Sequence, residues 1–109
     1  MLLAAGCGGG GEEPKLQSEL AEQLAVRSEA AAAKIETEEF CDARAHAAAI
    51  RARTIAAINS GQVPAELQEE LLGSANALFN AISCKPPAAE EGAAEEARAL
   101  AEWLRERSG

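Results

Sequence analysis

The side chains of this 109-residue sequence that could support chemistry are few. They are Cys7, Cys41 and Cys84, a single histidine, His46, and the adjacent acids Glu38-Glu39 and Glu69-Glu70. A nucleophile needs a base within hydrogen-bond reach, yet His46 stands among alanines with no partner near it in sequence. Cys41 and His46 are spaced i, i+5, which turns them to different helix faces, and two ligands fall short of the four that a structural zinc takes. The acid pairs read as helix-surface charge. Glycines 8–11 follow no strand and include no lysine, so they do not form a phosphate-cradling loop. No catalytic, cofactor-binding or metal-ligating residue is assigned, and the chain is expected not to be an enzyme.

Cys41 and Cys84 carry a sharper signal. Residues 61–63 mark a turn, and the two cysteines lie about 20 residues before it and about 21 after it. At about 1.5 Å per residue both stand roughly 30 Å from the turn, at the open end of a helical hairpin. A disulfide there would close a loop of some 44 residues, worth about 4 kcal/mol in the chain-entropy model. Two buried free thiols are the plainer alternative. A redox-active pair is disfavoured because C-x-x-C does not occur.

Cys7 belongs to a different pattern. The run Leu3-Ala4-Ala5-Gly6-Cys7 resembles a bacterial lipobox, with an aliphatic residue and small residues leading to a cysteine. That resemblance implies a diacylglycerol-bearing Cys7 as mature N-terminus, with residues 1–6 the remnant of a signal whose charged leader lies upstream. Residues 7–13 then form a lipidated cysteine and a glycine-rich tether, with a random-coil reach of roughly 15 Å. Export would place Cys41 and Cys84 where disulfides persist.

The elements that must position these residues are helical. Pro14 suits a first helical position, and Leu16, Leu20, Leu24, Ala31 and Ile35 then recur on one helical face. No glycine or proline interrupts residues 15–59, so one long helix is conceivable there. A break near residues 36–37 is favoured, with Thr37 as N-cap and Glu38, Glu39 and Asp42 in the next first turn. The second helix, about 38–59, groups Phe40, Ala47, Thr54, Ile55 and Ile58 on a broad face, with Ile50 at its edge. Gly61 suits the left-handed position that ends it. The third helix opens at Pro64 and stripes Leu67, Leu71, Ala75, Leu78 and Ile82, until Cys84-Lys85-Pro86-Pro87 stops it.

A Pro/Ala linker, 85–92, leads to an amphipathic C-terminal segment, 93–109. The fold class is all-α: an antiparallel three-helix bundle over 14–84, with a disulfide-stapled hairpin and an appended C-terminal helix. Leu100, Trp103 and Leu104 form the apolar face of that last helix. Either it docks and buries Trp103, or it stays loose and folds on a partner; the linker favours the second, with those three residues as the candidate partner contact.

Net charge is −8 and the sequence pI about 4.6. That balance disfavours nucleic acid and electrostatic docking on anionic lipid. No apolar run reaches the 18 residues of a membrane span.

The leucine-striped helix, "FCDA" at 40–43, "INSGQVPAELQEELL" at 58–72 and "ISC" at 82–84 resemble small alanine-rich helical lipoproteins of high-GC Gram-positive bacteria. The resemblance implies attachment to the outer face of the cytoplasmic membrane through Cys7, and no activity. The expected function is a non-catalytic protein-interaction or structural module meeting an envelope protein. A small-ligand binding or sensing lipoprotein is the alternative, disfavoured because closely packed alanine-rich helices leave little room for a cavity of about 300 Å³.

Overall fold

A computed structural model describes residues 13–85 and 90–109; residues 1–12, Cys7 among them, and 86–89 lie outside the described residues. It contains four helices: α1 (Ser18–Glu36), α2 (Phe40–Asn59), α3 (Ala65–Asn80) and α4 (Ala93–Glu106). Successive helices run antiparallel. Each packs on its chain neighbours, and α4 closes the ring by packing against α1.

Alanine makes this arrangement possible. Ala21, Ala25, Ala32, Ala43, Ala47, Ala97 and Ala101 are all fully buried or nearly so, and small side chains let helix axes approach closely. Between them Leu16, Leu20, Leu24, Ile50, Leu71, Leu78, Ile82 and Leu104 fill the core. In α1 the leucine stripe is doubled by Ala21, Ala25, Ser28 and Ala32. A helix flanked by two neighbours buries a face that wide.

The first two helix ends use the same device. Ser60 caps α2, Gly61 takes φ +77°, and the Gln62 and Gly61 amides donate to the Ala57 and Ile58 carbonyls at 2.8 and 3.1 Å. This is a Schellman closure with glycine where it is favoured. At the end of α1 the Glu39 and Glu38 amides donate to the Lys34 and Ile35 carbonyls at 2.8 and 3.0 Å. The left-handed residue there is Glu38, at φ +61°.

Thr37 therefore closes α1 rather than capping α2, as the sequence suggested. Its hydroxyl donates to the Glu39 carboxylate at 2.6 Å. A side chain at a left-handed position carries a steric cost, so Glu38→Gly should stabilise the protein by about 1 kcal/mol. Chemical denaturation checks this; a loss of stability would mean that residue 38 does not hold that conformation.

Two further expectations are corrected. Ile50 is completely buried at the centre of the α2 face, and Ile55 is 38% exposed. The centre line runs Ala43, Ala47, Ile50, Thr54, Ala57. At the other end of the molecule α1 starts at Ser18, not at Pro14. Leu16 is extended and buried: its amide donates to the Arg107 carbonyl at 2.7 Å, and the Gly109 amide donates to the Leu16 carbonyl at 2.9 Å. Those groups pair with the C-terminal segment in place of a first helical turn.

Candidate functional site

Cys41 lies in the first turn of α2 and Cys84 just beyond α3, and they form a disulfide with Cα atoms 4.5 Å apart. The bridge sits at the pole opposite the Gly61 turn, as the equal spacings predicted. Beside it the Arg44 guanidinium donates to the Ile82 carbonyl, a second tie between α2 and the chain after α3.

His46 is half-buried on α2, with Nδ1 3.5 Å from the Arg27 guanidinium. Burial, then the Arg27 charge, pushes its pKa below the ordinary 6.5. The Asp42 charge opposes that shift, and among the described residues no carboxylate hydrogen-bonds to the ring. Glu39 is held below the usual carboxylate range by the Thr37 hydroxyl and by Lys34. Among the described residues no cluster of three or more His, Cys, Asp or Glu side chains could hold a metal ion. Among them, too, no helix is long and apolar enough to cross a membrane.

The C-terminal helix is an integral part of the bundle. Ala93, Ala94, Ala97, Leu100, Ala101 and Leu104 are all buried. Arg98 pairs with Glu36 at 2.6 Å, and Arg105 pairs with Glu29 at 2.6 Å and with Glu22 at 3.4 Å, tying α4 to α1 along its length. Arg105 also holds the Glu29 carboxyl below its usual range. The expectation of a loose or weakly docked helix is thereby overturned. Leu104, fully buried, offers nothing to a partner. Leu100 is 4% exposed, while Trp103 is half-buried and its indole N–H has no acceptor among the described residues.

Surface relief lies between helices. The α1–α2 groove, of 810 Å³, has an apolar floor of Leu24, Ala30 and Ile50 and the exposed Val26. Its walls mix Arg27, Arg53 and His46 with Glu19 and Glu22. This is more room than the alanine content suggested, but it is an open groove and not an enclosed cavity.

A second groove, of 430 Å³, follows the seam between α3 and α4. Its floor is Gly73, Ala77, Ala99, Leu100 and Trp103, and its charged lining is Glu69, Glu70 and Glu96, with no cation among them. Leu100 and Trp103 of the expected contact line this groove. Gly73, Ala99 and Glu96 were not singled out from the sequence. A glycine in the middle of the third apolar stripe was the available signal.

Comparison with protein-family models, with curated proteins and with solved structures finds no match for this chain.

Proposed function

We propose that this protein is a non-catalytic interaction module of the bacterial cell envelope, anchored by lipid on Cys7 to the outer face of the cytoplasmic membrane. The observation that carries the reading is the Cys41–Cys84 disulfide, a bond that persists in oxidising compartments and is rare in the reducing cytosol. The lipobox-like run ending at Cys7 is the matching address. Placement also supports it: the chain enters the bundle at Leu16, at the pole opposite the disulfide. A tether at that entry leaves the sides and the stapled pole open to other proteins. Expressed from its native gene, the wild-type protein should fractionate with membranes and carry diacylglycerol on its Cys7 peptide. Cys7→Ser should move to the soluble or unprocessed fraction. A wild-type Cys7 peptide without lipid sinks the anchoring.

A second reading, a small-ligand binding lipoprotein, draws on the α1–α2 groove, where His46 and Arg27 lie beside an apolar floor. The interaction reading is preferred because that groove is open, whereas small-ligand sites bury most of the ligand's surface.

A further inference from the structure

The α3–α4 seam is distinguished by what is missing from it. Gly73 lies inside α3, where glycine is a poorer helix former than alanine. Two reasons for a helical glycine are a positive φ and the close approach of a neighbour. Neither holds here: its φ lies outside the left-handed region, and a Cβ built at residue 73 meets nothing within 4 Å. Space over the glycine is open, and it continues into the groove floored by Ala77, Ala99 and Trp103. Its carboxylates, Glu69, Glu70 and Glu96, line a groove whose one adjacent cation among the described residues is Arg107 over the Trp103 ring, on a chain of net charge −8. The α1–α2 groove, by contrast, carries both signs.

We infer that the α3–α4 groove is a docking site for a basic amphipathic helix of a partner protein. Its aliphatic stripe lies over Gly73 and against Trp103, and its lysines or arginines meet Glu69, Glu70 and Glu96. The inference rests on the interaction-module reading and names the partner's chemistry. Charge selects the occupant. An acidic segment, an anionic membrane or a second copy of this acidic face would bring like charges together, whereas a cationic helix is attracted at long range and paired at contact. The chain supplies its own example: the Arg107 guanidinium stands 4.4 Å from the Trp103 ring centroid, with Glu106 3.6 Å from its Nη1. A guanidinium over this indole, beside a carboxylate, is the arrangement the partner would repeat. The half-buried Trp103 has the character of the aromatic anchors that dominate interfaces.

The test titrates the full chain with a synthetic amphipathic peptide of lysine, leucine and alanine, and with its counterpart carrying glutamate for lysine. Trp103 is the only tryptophan, so its emission reports binding directly. The lysine peptide should change that emission and perturb amide resonances over 69–77 and 96–103, with affinity falling as salt rises. A Cβ at residue 73 meets nothing within 4 Å and the space beyond it is the groove, so Gly73→Leu should fold and weaken the peptide on the order of tenfold or more. Glu69→Lys with Glu96→Lys, both on the surface, should do the same by reversing charge, and serves if Gly73→Leu fails to fold. Trp103 emission unmoved by the lysine peptide, equal binding of the glutamate peptide, or unchanged affinity in either folded variant overturns the inference. Such a result leaves the Cys7 anchoring intact, and an unacylated Cys7 leaves the groove intact, so the two readings fail separately.

Discussion

Cys41→Ser should cost the protein about 2–5 kcal/mol, a large share of the stability of a small domain. The bridge joins residues 43 positions apart, for which chain entropy alone gives about 4 kcal/mol. Its location adds to the effect. The hairpin of α2 and α3 is closed by the chain at the Gly61 pole, and the far pole is held covalently only by the disulfide. With the bridge cut, the Arg44 bond to the Ile82 carbonyl must hold that end against solvent. Urea denaturation of the wild type, reduced and oxidised, beside Cys41→Ser and the double Cys41→Ser, Cys84→Ser variant, measures the cost. The reduced wild type and the double variant should coincide. A difference below about 1 kcal/mol, or both thiols labelling readily in the oxidised protein, would contradict the bridge.

Leu104→Ala should cost about 2–5 kcal/mol, the range for emptying a fully buried leucine site. The upper half of that range is expected. The loss depends on how far neighbours can close on the cavity, and much of what α1 and α4 bury is alanine, which has no reach: Ala21, Ala25, Ala31 and Ala32 on α1, Ala97 and Ala101 on α4. Trp103 is adjacent in sequence and is the only tryptophan, so its fluorescence follows α4 while far-ultraviolet circular dichroism follows all four helices. The two transitions should superimpose in both wild type and variant. Trp103 changing before the rest, with a Leu104→Ala cost under about 1 kcal/mol, would return α4 to the status of an appendage.

These two experiments probe what sequence reasoning read well and what it read poorly. The hairpin of α2 and α3 was legible because Gly61 and Pro64 fix a turn and helical rise then fixes the register, which brings Cys41 to Cys84. The break after α1 was legible in position but not in mechanism, since Thr37 can serve either helix and the left-handed residue proved to be a glutamate. The face of α2 was blurred. Alanine stands at 43, 45, 47, 48, 49, 52, 56 and 57, so apolar residues run all round the helix and Ile50 cannot be told from Ile55 by period.

Docking of α4 was missed for the same reason. Counting large side chains gave it only Leu100, Trp103 and Leu104, too few to hold it. The alanines of α1 and α4 contribute by admitting a close approach, which is a property of the pair and not of either sequence segment. The candidate groove followed that error. Glu69, Glu70 and Glu96 were visible as surface charge, but only the register of α3 against α4 sets them around Gly73 and Trp103.

The exchange of backbone bonds between Leu16 and residues 107–109 closes the helical bundle nearly into a ring. The two segments joined there, some 90 positions apart, meet through hydrogen bonds of 2.7 and 2.9 Å. Contacts of the greatest sequence separation carry the largest closure entropy, about 4 kcal/mol for a chain of that length before any contact forms. Such a junction repays its closure only when the intervening helices have already brought the ends together, which places it late in assembly. Because the two bonds share Leu16, one local opening frees both, and the Leu16 and Gly109 amide protons are thereby coupled reporters of the same fraying event.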